Sequence, residues 1–200
     1  MPDLTMRSFL RLTVLLIFIL LLQACQHHQP NIRPLTPHQM IDLSTVNSYQ
    51  FRGKMSFSDG KDGGTGSIQW RNNQGFIAAR LKGPLGSKSW SISEQEQGAE
   101  LVRNDSTVYA ASAEELVSRE LGWKVPWEQL KSWVIGQAFS KKASEVSWQE
   151  DGYTLIENGW SIKYSRLKAY PNVLSGKLPH KMIARKGDYS IKLSLKSWTW

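Results

Sequence analysis

The 200-residue sequence predicts a mainly β fold, an antiparallel barrel or half-barrel closed by short helices, with a β-sandwich as the alternative. Three observations carry this. Short segments of strict apolar/polar alternation recur from Gln50 to the C-terminus, as half-buried antiparallel strands require. Glycine- and asparagine-rich turns such as Asp59–Gly64 and Asn72-Asn73-Gln74-Gly75 separate them. Helix signals past residue 50 are confined to one stretch, Ser112 to Gly136. Roughly ten strands with one apolar face each must curl or stack to bury that face.

The chain begins with a leader. Arg7 and Arg11 precede an eleven-residue run, Leu12 to Leu22, in which only Thr13 is polar. This is the charged-then-apolar order of a secretory signal, and it is too short to span a bilayer, which takes about 20 apolar residues. Leu20-Leu21-Leu22-Gln23-Ala24-Cys25 resembles a bacterial lipobox. Its cysteine, the only one in the chain, can take a diacylglyceryl group on sulfur and, after cleavage, an acyl chain on its freed amine. Gln23 departs from the small or β-branched residue usual there. Gln26 is not the Asp that resembles an inner-membrane retention signal, so the expected address is the outer membrane, facing the periplasm. The organisation read from this is a signal peptide at 1–24, a lipidated N-terminus and polar tether at 25–35, and one domain at 36–200.

Within the domain, Thr36-Pro37 opens a first helix that runs to about Asn47. Gln50 to Ser58 is a strand with Phe51, Gly53, Met55 and Phe57 on one face, and the second strand carries Ile68 and Trp70. Phe76 to Lys82 and Lys88 to Ser93 follow, then short strands around Leu101 and Val108 to Ala110. Ser112 and Glu115 have capping-box spacing before a helix that Gly122 ends; Pro126 opens another that Gly136 stops. Strands resume around Val146 and Trp148, Tyr153 and Leu155, Trp160 to Tyr164, Met182 to Ala184, and Ile191 to Leu195. Leu167 to Pro179 reads as a long loop. Trp198 and Trp200 fall on the polar parity of the last strand, which predicts a bulge or an edge contact there.

Lys and Arg number 25 against 17 Asp and Glu; the leader holds two of the bases and one of the acids, so the mature chain is net +7. That balance suits anionic lipid or acidic protein, and export argues against nucleic acid. The four histidines are scattered, and His27 and His28 lie in the tether. No catalytic triad, zinc pair, phosphate loop or G-x-S-x-G turn is assembled, so no catalytic residue, metal or cofactor is assigned. Asp59 to Gly64 lacks the closing glutamate of a calcium loop and reads as a hairpin turn. The acids of Glu94–Glu100 and Glu114–Glu120 are expected on turn and helix surfaces. Nine tryptophans, six tyrosines and six phenylalanines could fill a core, line a lipid cavity or stack on sugars. A binding protein is favoured over a glycan-processing enzyme or a structural glycan-binding lipoprotein.

Several short motifs recur in a characteristic order: Tyr49-Gln50-Phe51-Arg52-Gly53, Trp70, Gly83-Pro84-Leu85-Gly86, Glu114-Glu115-Leu116 and Gly122 to Pro126. Leu130-Lys131-Ser132-Trp133-Val134-Ile135-Gly136, Gly159-Trp160, Tyr164, Pro179 and Trp198 continue it. In this order they resemble the LolB family of outer-membrane lipoprotein receptors across essentially the whole chain. The resemblance implies an unclosed antiparallel β-barrel (half-barrel) covered by short helices. Between barrel and helices it implies a hydrophobic cavity that holds the acyl chains of a lipoprotein taken from the periplasmic carrier LolA. It makes Phe51, Met55, Phe57, Trp70 and Trp90 candidate cavity walls. It makes the loop Gly83, Pro84, Leu85 and Gly86 a membrane-insertion element, with Leu85 entering the inner leaflet of phospholipid. It also implies a monomer that is no enzyme and carries no cofactor beyond the lipid on Cys25.

Overall fold

The computed structural model describes residues 46, 48–84, 89–104, 106–122, 124–140, 144–170 and 176–200. The leader, Cys25, the tether and first helix, and Leu85 and Gly86 of the insertion loop lie outside the described residues.

Eleven antiparallel strands form one sheet. In chain order they are β1 (Ser48–Ser58), β2 (Gly63–Asn73), β3 (Phe76–Lys82), β4 (Ser89–Gln95), β5 (Gly98–Arg103) and β6 (Ser106–Ala110), then β7 (Ser144–Gln149), β8 (Gly152–Glu157), β9 (Trp160–Ala169), β10 (Lys177–Lys186) and β11 (Tyr189–Thr199). The spatial order is β6-β5-β4-β3-β2-β1-β11-β10-β9-β8-β7, so, among the described residues, the first and last strands pair at the centre while β6 and β7 are unpaired edges. The sheet is an unclosed half-barrel, as expected. Its edges are linked through the two helices, α1 (Ala113–Leu121) and α2 (Trp127–Trp133), which connect β6 to β7.

Alternation decides the two faces. In β1, Tyr49, Phe51, Met55 and Phe57 are buried while Arg52 and Lys54 are exposed. The same parity buries Ile68 and Trp70 on β2, Trp90 and Ile92 on β4, Ile162 and Tyr164 on β9, and Ile191 and Leu193 on β11. Hairpin turns hold this register. Gln74 and Gly75 both take positive φ, as do Asn158 and Gly159, the geometry that joins twisted strands with two residues. The Asp59 turn is likewise a hairpin: its carboxylate accepts from the backbone amides of Lys61 at 3.0 Å and Asp62 at 2.7 Å. Those amides hold the Asp59 carboxyl below the usual range.

The bulge expected near Trp198 is present. Arg52 pairs with Ser197 but Gly53 with Leu195, so Lys196 is the extra residue. The slip turns Trp198 inward, where its ring sits 5.1 Å from Phe51 and 5.9 Å from Tyr49. Gly53 is required at this point, because a Cβ there would collide with the Ser194 carbonyl oxygen.

Two sequence expectations need correction. The loop assigned to Leu167–Pro179 is much shorter, since β9 runs to Ala169 and β10 starts at Lys177. The reason is that Arg166 takes positive φ, which breaks the alternation while Lys168 and Lys177 stay in register with Leu178 and Ala169. Glu94 lies neither on a turn nor at the surface: it belongs to β4 and its side chain is 13% exposed.

Candidate functional site: a helix-covered apolar seam

The inner face of the half-barrel is covered by α1 and α2. Ser112 caps α1, its hydroxyl accepting from the Glu115 amide at 3.2 Å, and Gly122 ends the helix with a left-handed φ of 70°. Leu116 and Val117 of α1 and Trp127, Leu130 and Trp133 of α2 are all buried against the sheet. The spacing of the three α2 residues explains this: positions i, i+3 and i+6 lie along one face of a seven-residue helix.

Between helices and sheet lies a seam lined by Met55, Ile68, Trp70, Trp90, Val125 and Trp127, with Ala79, Val117 and Leu130 completing it. No polar atom faces it. Its open volume is only about 10 Å³, about one water's probe sphere, whereas ligand pockets measure about 300–1,000 Å³. In this state the helices and the tryptophans themselves fill the space, Trp127 lying 5.3 Å from Trp70. Val125 also borders a larger cleft of about 720 Å³ at the end of the sheet that carries the Asp59 and Asp188 hairpins. Glu114, Lys124, Trp160 and Lys186 contribute to its rim. Seam and cleft thus meet at one residue.

The structure separates the five candidate wall residues. Met55, Trp70 and Trp90 line the seam. Phe51 is buried behind it, its ring stacked on Trp70 at 5.8 Å, and Phe57 is buried without bordering the void. Gly83 and Pro84 directly follow β3; Pro84 is exposed.

Residues with no such role assigned from the sequence hold α2 in place. At its start, Glu94 accepts from the Trp127 indole N–H at 3.0 Å and from the Lys131 ammonium at 3.2 Å, while Glu114 accepts from the Trp127 amide at 3.1 Å. Burial works against the Lys131 charge, but Glu128 and Glu94 outweigh it and raise its pKa. Beyond the helix end, the buried Glu157 carboxylate accepts from the Trp133 indole N–H at 2.8 Å, the Phe139 amide at 3.1 Å and the Ser140 amide. The Tyr164 hydroxyl donates to the Trp133 carbonyl at 2.9 Å and the Tyr153 hydroxyl to the Gly136 carbonyl. Burial pushes both tyrosine pKa values up, keeping these hydroxyls protonated as donors. The lid helix is therefore clasped to the sheet at both ends by a tryptophan–glutamate pair.

An open half-barrel whose inner face is mainly apolar, with the Glu94 and Glu157 carboxylates at the two ends of a short covering helix, defines a class of lidded β-proteins built around an apolar interior. Comparison with known proteins makes this specific. The profile of the outer membrane lipoprotein LolB family matches residues 47–198, and the chain belongs to that family. It is 30% identical over 159 residues to the outer-membrane lipoprotein LolB of Pseudomonas paraeruginosa, covering 78% of this chain and 76% of that protein. It is 29% identical over the same length to the Pseudomonas fluorescens protein of that name. With the Marinomonas counterpart it shares 25% identity over 193 residues, 94% of this chain and 97% of the relative.

Proposed function

We propose that this chain is an outer-membrane lipoprotein that receives lipoproteins from the periplasmic carrier LolA and incorporates them into the inner leaflet of the outer membrane. Family membership supports the general role in lipoprotein localisation. The observation that supports the finer reading is the seam: its exposed lining is wholly apolar, the helices cover it, and it shares Val125 with an open cleft at one end.

In this reading the acyl chains of the cargo enter by the cleft, pass Val125 and replace Trp127 and Leu130 on the inner face near Met55, Trp70 and Trp90. The sheet stays rigid and the lid moves. Apolar surface is exchanged for apolar surface, so the main cost of opening is the polar clasps at Glu94 and Glu157. Cys25 carries diacylglyceryl and N-acyl groups and anchors the chain as a monomer, with residues 25–35 as its tether. Leu85 enters the leaflet from the Gly83–Gly86 loop and brings the cleft to lipid. No cofactor, metal, nucleotide or nucleic acid takes part.

The test is a transfer assay. The purified protein is mixed with LolA loaded with a radiolabelled lipoprotein, without nucleotide, and the cargo is located by pull-down. Movement of label onto the protein is expected; retention on LolA, or movement only with ATP, contradicts the proposal.

A further inference from the structure

The outer face of the half-barrel carries a charge pattern that the cavity does not explain. The six contiguous strands β3, β2, β1, β11, β10 and β9 contain fourteen Lys and Arg and no Asp or Glu. The acids of the sheet lie on β4, β5, β7 and β8. Register turns this composition into a lattice. One row across the sheet reads Lys181, Ser194, Lys54, Ser67, Lys82 on five successive strands. A second reads Arg52, Gln69, Arg80, and a third Lys163, Ile183, Lys192. Bases thus alternate with uncharged residues, mostly small or polar, at two-strand spacing, about 9.5 Å. That is about one Debye length at physiological salt, so neighbouring potentials add. Among the described residues, none of these seven bases takes part in a salt bridge.

We propose that this face docks the domain on an anionic phospholipid surface. The charge complementarity is direct, and the lattice has the wrong anatomy for a protein partner. Protein interfaces centre on desolvated aromatic or aliphatic anchors with charges at the rim. Here the charges occupy the centre, and the large exposed apolar residues on or next to these six strands, Phe76 and Trp200, lie at the first position of β3 and just past the end of β11. Lys82, which ends the first row, directly precedes Gly83, so engagement of that row holds the loop of Leu85 at the same bilayer. The inference rests on the membrane anchoring proposed above, and the experiment reads the two separately.

The full lipidated chain is reconstituted in vesicles of phosphatidylcholine alone or with added phosphatidylglycerol. With Cys25 acylated, a thiol introduced by Ser194→Cys is the single free one; it is labelled, and energy transfer to headgroup-labelled lipid is measured. A second label at Ser118→Cys, exposed on α1, reports on the helical side. Flotation with neutral vesicles establishes anchoring first. Transfer at Ser194 should rise roughly twofold with phosphatidylglycerol and fall back when salt goes from about 50 to about 500 mM. Combining Lys54→Gln, Lys181→Gln and Lys192→Gln should remove the rise while flotation and thermal melting stay unchanged. A Ser194 signal indifferent to anionic lipid, an equal rise at Ser118, or an unaltered rise in the triple variant overturns the proposal. So does a signal that ignores the lipid and changes only when an acidic periplasmic protein is added.

Discussion

Glu157→Gln is the most direct probe of the lid. The carboxylate is 1% exposed and accepts three N–H groups, from the Trp133 indole and the Phe139 and Ser140 amides. A glutamine in its place has one oxygen and an NH₂ group that faces donors, so at least one N–H is left without an acceptor. A stranded buried donor costs about 1–3 kcal/mol, and losing the charge weakens each surviving bond by about 1 kcal/mol. Relief of the buried charge offsets part of this, leaving a net loss of about 2–3 kcal/mol. At 2–4 °C per kcal/mol for a domain this size, the melting temperature should fall by about 4–12 °C, read by circular dichroism. If the clasp opens when acyl chains enter, the loaded state no longer contains it, and the variant pays less to open. A fluorescent fatty acid should then bind about 30-fold more tightly for a 2 kcal/mol difference. An unchanged melting temperature would refute the hydrogen-bond assignment. A lowered melting temperature with unchanged fatty-acid affinity would show that α2 stays clasped during binding, and the opening mechanism would fall.

Three further outcomes follow from the same physics. Leu85→Glu should take cargo from LolA but fail to insert it into liposomes, because the leucine contributes about 1.5–3 kcal/mol on entering hydrocarbon and a carboxylate resists entry; normal insertion by the folded variant contradicts the role. Cys25→Ala should move the protein from the membrane to the soluble fraction and leave cargo uptake intact in vitro, since about 0.8 kcal/mol per buried methylene goes into anchoring; loss of uptake with an unchanged dichroism spectrum would join the two functions. His180 is buried, with Nδ1 3.2 Å from the Leu195 carbonyl and Nε2 2.6 Å from the Tyr170 hydroxyl. Burial lowers its pKa, the Leu195 bond opposes this, and Lys168 adds to the lowering. The unfolded state therefore takes up the proton first, and stability should fall as pH drops below about 6.5 and continue falling to the folded pKa. The urea midpoint measured from pH 7.5 to 5 should show this, and His180→Gln should flatten that part of the profile.

How much of this was legible in the sequence depends on the range of each interaction. Alternation is local, so β3 was read to its exact ends and the caps Ser112 and Gly122 to the residue. The bulge at Lys196 was legible because Trp198 stood on the wrong parity for an aromatic. Arg166 gave no such warning: a positive φ at an arginine leaves no mark on residue type, and the end of β9 was lost in an imagined loop. The clasps were missed for a different reason. Glu94 and Trp127 are 33 residues apart and Glu157 and Trp133 are 24 apart, so only the fold reveals that each acid faces an indole. The available signal was one of parity: Glu157 follows Tyr153 and Leu155, and Glu94 follows Trp90 and Ile92, on the apolar side of their strands. The outer lattice was partly visible, since the absence of acids from six strand segments is a fact of sequence. Its rows needed the pairing of β1 with β11, the longest-range contact in the sheet.

The near absence of empty volume in the seam bears on what drives transfer. A preformed cavity would gain the whole burial of the acyl chains on loading, and would hold them too firmly to release into a membrane. With about 10 Å³ open, loading as proposed requires the acyl chains to displace side chains that already cover the sheet. Loading becomes an exchange in which most terms cancel, and the residue is small. That is the regime in which cargo can move by affinity alone: a tenfold preference over the carrier corresponds to about 1.4 kcal/mol, or some 55 Å² of additional apolar contact at about 25 cal/mol per Å². One tryptophan face is of that size, so the proposed hand-over requires a difference no larger than a single aromatic contact. Release then needs a sink deeper than either protein, and a bilayer that buries every methylene of the cargo is one.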